Sequence, residues 1–115
     1  MTIPVPLQQL AATLEHFGSA ALVTLPTDTW PRVITVDPYV EGHQLVVPAP
    51  HEICLPYVAA NPLVTLYWPA PEPRGYALIV DGWATVEGAD LRVRLDHAVL
   101  HRPHAHADGP AAPPV

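Results

Sequence analysis

The sequence predicts a mainly β domain: a six-stranded antiparallel barrel, Greek-key-like, with one N-terminal helix and one short helix between the third and fourth strands. Short runs of strand-forming residues alternate with turn residues along most of the chain. Sixteen prolines, about three times the usual share, stand mostly where such strands would end. Six short strands with so little helix favour a closed or partly closed barrel. An open sheet with two helices on one face is the alternative.

The N-terminal helix is predicted over residues 7–17. Its apolar residues have the spacing of one helical face: Leu7, Leu10, Ala11, Leu14 and Phe17. Pro6 suits a first helical turn and Gly18 suits a C-terminal cap.

The six strands are predicted over residues 20–25, 32–39, 44–47, 63–68, 76–87 and 90–95. A short helix is predicted over residues 50–60, before the Asn61-Pro62 dipeptide. Gly82 lies in the middle of the longest strand, where a glycine indicates a bend or bulge. Asp81, just before it, could pair with an arginine such as Arg102 or mark a solvent-facing bulge.

The chain predicts one domain over residues 1–103 and a disordered C-terminal tail over residues 104–115. Its 115 residues fit a single domain. After residue 103 the composition is reduced mostly to His, Ala, Pro and Gly, which is too poor in large apolar residues to form a core.

Charge and cysteine content exclude several classes of protein. The net charge is −6 and there is no lysine, so broad binding to nucleic acid or to an anionic membrane is not expected. Cys54 is the single cysteine, so an intrachain disulfide is impossible. No signal peptide or membrane-spanning run is visible, and we expect a cytoplasmic protein. Phosphate-binding glycine loops and a nucleophile elbow are also missing.

Three stretches, in this order, resemble the pyridoxamine-phosphate-oxidase-like split barrels, specifically a short bacterial subgroup. The first is GSAALVTL (18–25) with WPRVITV (30–36), similar to the family's opening hairpin. The second, YVAANPLVTL (57–66), is similar to the family pattern N-L-x-x-N-P-x-V-x-L. The third, GYALIVDGWATV (75–86), is similar to Y-x-x-x-x-G-x-A-x-V. The ending AVLHRP (98–103) is similar to the close of the same subgroup.

The resemblance implies a homodimer that holds FMN, or the related deazaflavin cofactor, at its interface. In the family the phosphate usually meets two basic residues, two positions apart, at the start of the middle helix. Glu52 and Cys54 stand at those positions here, which is a departure. The cofactor-binding residues predicted from the resemblance and its neighbourhood are Arg32, Val33, Thr35, His51, Cys54, Trp83 and Arg102.

Five of these seven residues also have a purely structural interpretation. Arg32 suits a phosphate or carboxylate contact but could be a solvated edge residue. His51 and Cys54 could form a site with a reactive thiolate, whereas a lone cysteine is more often buried and inert. Trp83, like Trp68, could stack on a planar ligand or pack in the core or an interface. Arg102 could anchor the C-terminus or reach a neighbouring subunit's pocket.

A histidine cluster near the C-terminus has spacing that can bind metal: His97, His101, His104 and His106. Because no acidic or thiol ligand is fixed nearby, a solvated tail is the preferred interpretation and no metal site is assigned.

The first hypothesis for function is a flavin- or deazaflavin-dependent oxidoreductase that acts on an unknown small-molecule substrate. In such enzymes the cofactor performs the hydride chemistry and the protein positions it. No catalytic residue can be assigned. The second hypothesis is a non-enzymatic module on the same fold that binds a small ligand, a flavin or a haem.

Overall fold

The computed structural model describes residues 1–103, and the predicted tail, with His104 and His106, lies outside this part. Eight strands and two short helices form the described part. The strands are β1 (Thr2–Val5), β2 (Ala20–Thr24), β3 (Arg32–Val36), β4 (Tyr39–Glu41), β5 (Gln44–Val47), β6 (Leu63–Trp68), β7 (Ala77–Glu87) and β8 (Asp90–His101). The helices are α1 (Leu10–Leu14), which a 3₁₀ turn (Leu7–Gln9) precedes, and α2 (Cys54–Ala60).

One antiparallel sheet contains all eight strands and returns on itself. Its order is β3-β2-β6-β7-β8-β5-β4, and β1 pairs with the end of β8. The two end strands of this path, β3 and β4, follow each other in the chain with only Asp37 and Pro38 between them. Such a short connection brings the two edges of the sheet together, which produces a split barrel.

Side chains from one face of the sheet fill the interior of the barrel. Leu22, Leu66 and Val80 lie opposite one another on β2, β6 and β7, and each is fully buried. Trp68 is also buried and belongs to the same core, so the packing interpretation of this residue is the correct one. Leu10 of α1 and Val58 of α2 cover the core from outside the sheet.

The mainly β, antiparallel class and the position of both helices are confirmed, but the strand number is eight and not six. The predicted strand over 32–39 is interrupted at Asp37 and Pro38, because proline lacks the N–H that a sheet ladder needs. The last strand continues to His101, six residues beyond its predicted end, because it has β7 on one side and first β5, then β1, on the other. β1 was not predicted.

Both helices are shorter than predicted. The N-terminal one is divided into the 3₁₀ turn and α1, and ends at Leu14, although Phe17 still packs against the core. The second begins at Cys54 rather than at residue 50. Within residues 1–103, no helix is long and apolar enough to cross a membrane.

Candidate ligand-binding site

A row of side chains crosses the outer face of the barrel. The strand register places Val33, Val23, Thr65, Asp81 and His97 opposite one another on β3, β2, β6, β7 and β8. Successive residues of a strand point to opposite faces, so this row shares one side of the sheet while its buried neighbours fill the core. The row is apolar on β2 and β3 and polar on β6, β7 and β8.

A β-bulge shapes the polar end of this row. Asp81 pairs with His97, but Gly82 pairs with Leu95, so Asp96 is the extra residue of β8. The strands approach closely here: a Cβ atom on Gly82 would lie 2.4 Å from the carbonyl oxygen of Arg94. The predicted bulge at Gly82 is therefore confirmed, and a side chain at this position would collide with backbone.

The bulge brings two carboxylates to one imidazole. The Nε2 atom of His97 is 3.0 Å from an oxygen of Asp81, and its Nδ1 atom is 2.7 Å from an oxygen of Asp96. The Thr65 hydroxyl donates a hydrogen bond of 2.5 Å to the other oxygen of Asp81. The hydrogen bond with Asp96, together with the negative charges of Asp81 and Asp96, raises the pKa of His97 against the opposing effect of burial. This arrangement favours the imidazolium form of His97.

A cavity of about 270 Å³ opens beside the two carboxylates. Its apolar walls are Val23, Leu25, Leu63, Val64 and Trp83, and its polar lining consists of Thr65, Asp81 and Asp96, with Gly82 between. His97 is not part of the lining and binds both carboxylates from beside it. Arg94, whose guanidinium lies 4.5 Å from the centre of the Trp83 ring, does not line the cavity either.

The predicted cofactor residues of β3 divide between two faces. Val33 and Thr35 are exposed on the outer face, and 61% of Val33 is accessible. Arg32 has the opposite parity, on the side of the buried Val36, and is exposed because it begins the strand. Its Nη2 donates only a long hydrogen bond of 3.4 Å, to the hydroxyl of Thr29.

The start of α2 does not have the features of a reactive site. Cys54 is 1% exposed and belongs to the core, and burial raises the pKa of its thiol, so the group is neutral at physiological pH. His51 and Glu52 are exposed. The Nδ1 of His51 accepts a hydrogen bond from the backbone N–H of Ile53, at 3.2 Å.

Arg102 lies far from Trp83 along the β7–β8 pair. Trp83, in the interior of β7, is paired with Arg94, whereas Ala77, at the start of β7, is paired with His101, the residue before Arg102. Eight residues of extended chain separate Arg94 from Arg102, which is roughly 25 Å. The guanidinium of Arg102 lies over the ring of Tyr76, at 4.9 Å, and its backbone is hydrogen-bonded to Met1. A single chain therefore does not unite the predicted residues in one site.

The two histidines of β8 are too far apart to bind the same metal ion. His97 and His101 are four apart on a strand, which separates them by roughly 13 Å. Within residues 1–103, no group of three potential ligands has the geometry to hold a metal.

Thr65, Asp81, Asp96 and His97 form a polar cluster on the outer face, and as a group they were not predicted. The glycine after Asp81 did indicate the bulge in the right place. No local pattern, however, indicates which residue of β8 is the extra one, because this depends on the pairing with β7.

Similar proteins share this fold. A scan against family models and a search of curated protein sequences find no match. Among solved structures, the FAD-binding protein of Mycobacterium smegmatis superposes with a TM-score of 0.62 at 15% identity, over 89% of this chain and 100% of that one. A Listeria innocua protein described provisionally as a pyridoxamine 5'-phosphate oxidase gives 0.63 at 16% identity, over 82% and 96%.

A third structure is the FAD-binding protein of Mesorhizobium loti, with a TM-score of 0.61 at 11% identity, over 88% of this chain and 99% of that one. These similarities confirm the fold expected from the sequence resemblance: the chain shares the split-barrel fold of these proteins.

Proposed function

We propose that the chain binds a flavin, FMN or a deazaflavin, on the outer face of β2 and β3 and acts as an oxidoreductase on a small molecule. The observation that carries this proposal is the shared fold, since two of the similar structures are named FAD-binding proteins. The outer face supports it, because Val33, Val23 and Leu25 offer an apolar surface on which a planar ring can lie.

The phosphate of such a cofactor does not fit the start of α2. Glu52 would repel it, and the buried, neutral thiol of Cys54 offers no charge in return. Arg32 is the better candidate: although its parity is opposite to that of Val33, it begins β3, and its exposed guanidinium at this strand end is only weakly held by Thr29. Arg92, by contrast, is engaged by Glu41 and Glu87.

We further propose that two copies form a homodimer through this apolar face. Trp30 is 78% exposed, and Val33 and Leu63 are also largely accessible in the single chain. A second copy would remove this apolar surface from water, and it would enclose a ring bound to β2 and β3. Light scattering after size exclusion tests the dimer, and a monomer at high concentration would contradict it.

The binding experiment uses FMN, riboflavin and a deazaflavin, each titrated by fluorescence. We expect micromolar binding, and Arg32→Ala should weaken FMN about tenfold while leaving riboflavin nearly unchanged, because a charged hydrogen bond to the phosphate is lost. Cys54→Ser should retain binding if it folds. If the native chain binds none of the three ligands, the proposal is rejected.

The second candidate is a non-enzymatic module that binds a small ligand on the same fold. The observation in its favour is the start of α2, where Glu52 and Cys54 replace the expected basic pair. A Soret band after addition of hemin, with no binding of flavins, would favour this candidate over the oxidoreductase.

A further inference from the structure

We propose that the cavity between β2, β6 and β7 binds a small organic cation: an amine with one ring or a short apolar body. The cavity is formed within one chain, but its walls include Val23 and Leu25, which also belong to the surface proposed above for the flavin, so the amine and the flavin would compete for this part of the outer face. Two independent features carry the proposal, namely the apolar shape of the walls and the charge at one end.

The walls determine the size and character of the ligand. A volume of about 270 Å³ is slightly below the range of about 300–1,000 Å³ that holds drug-sized ligands, so a ligand of one ring and a short chain fits. Leu25, Leu63 and Trp83 provide apolar contact, while the cation–π contact of the Trp83 ring is already made by Arg94.

The carboxylates determine the sign of the charge. Asp81 and Asp96 both line the cavity, and none of the lining residues is basic. His97, when protonated, compensates one of the two negative charges, so the group retains a net charge of −1. Each carboxylate oxygen can accept a further hydrogen bond beyond those from Thr65 and His97. A protonated amine would supply the missing charge and the missing donors.

An anion or a neutral alcohol would bind less well. A carboxylate or phosphate would meet two like charges, and an alcohol would lack the charge that strengthens a hydrogen bond to a carboxylate. Discrimination in favour of the amine is therefore the signature of this site.

The test compares phenethylamine with 2-phenylethanol and phenylacetate, which share the ring and differ in the charge of the end group. Binding is followed by NMR through the indole N–H signal of Trp83, which Trp83→Phe assigns. We expect phenethylamine to bind about tenfold more tightly than 2-phenylethanol, as a charged hydrogen bond implies, and phenylacetate not to bind.

Three variants test whether amine binding depends on the carboxylates of the cavity or only on the net negative charge of the protein. Asp96→Asn should weaken phenethylamine about tenfold, while Glu15→Gln, which removes the same charge from the exposed end of α1, should not. His97→Gln should strengthen binding about threefold, because it leaves both carboxylates uncompensated. A merely structural role for His97 would not produce this gain. Equal binding of amine and alcohol, no binding of either, or equal losses in Asp96→Asn and Glu15→Gln would overturn the proposal.

Discussion

The start of α2 and the bulge between β7 and β8 differ in how closeness in sequence relates to contact in the structure. At the start of α2, His51, Glu52 and Cys54 are close in sequence, yet the thiol is buried and the imidazole accepts a bond from its own turn. At the bulge, Thr65, Asp81 and His97 are far apart in sequence, yet they bond to one another beside a cavity.

The difference teaches that local spacing is a weaker indicator of a site than strand register. A helical turn places neighbouring residues on one element, but packing decides whether they reach solvent, and Cys54 does not. A sheet aligns distant residues in rows, and a bulge can add one more side chain to such a row. Two properties are therefore testable: the bulge should tolerate no side chain at Gly82, and the thiol at the start of α2 should be buried and unreactive.

The largest expected effect is that of Gly82→Ala. The new Cβ would overlap the backbone of Arg94 and the side chain of Val93, so we expect a loss of about 3 kcal/mol in the free energy of unfolding, at the upper end of what overpacking costs. Gly18→Ala is the matched control, because no atom lies within 4 Å of its added Cβ. Urea denaturation measures both, and equal losses would show that the bulge is not tightly constrained.

A smaller effect is expected at the start of α2. Cys54→Ser places a hydroxyl in the core and should cost about 1–3 kcal/mol, whereas Glu52→Gln on the surface should change stability by less than about 0.5 kcal/mol. In the native chain the thiol should also react slowly with Ellman's reagent until denaturant is added. Rapid labelling of the folded protein would contradict the assignment of Cys54 to the core.

The smallest expected effect is the pH dependence conferred by His97. Its pKa is raised in the folded state, so its contribution to stability is complete below the unfolded value of about 6.5 and is lost as the pH rises through the folded value. The contribution should stay below about 1 kcal/mol, because the imidazole is half-exposed and screened by water.

Thermal unfolding of the native chain and of His97→Gln measures this dependence. The native chain should be the more stable of the two at pH 6, and the difference should shrink towards pH 9. A difference that grows with pH would mean that the imidazole is not held as a cation by Asp81 and Asp96.

Much of the fold could be predicted because the apolar pattern and the turn residues are local signals. Strands near residues 20–25, 44–47, 63–68 and 76–87 appear within one residue of their predicted ends. β1 could not be predicted, since Pro4 lies within it and Pro6 follows it, and only pairing with β8 makes these residues a strand. The extension of β8 has the same cause.

The candidate site was less accessible to prediction. Val33 and Thr35 lie on the outer face and Trp83 lines the cavity, so these three predicted residues lie on the surface that we propose as the binding site. Arg102 is far from them in one chain, and Cys54 is in the core.

The residue pattern alone was enough to indicate a small antiparallel barrel, a bulge at Gly82 and an acidic chain without lysine, because period, turn chemistry and charge are properties of short segments. Tertiary structure alone decided which side chains meet. Asp96 joins Asp81 at His97 only because the register of β7 against β8 slips by one residue, and Cys54 is withdrawn from solvent only because α2 packs against the sheet. Both outcomes depend on contacts between distant segments, which no local pattern specifies.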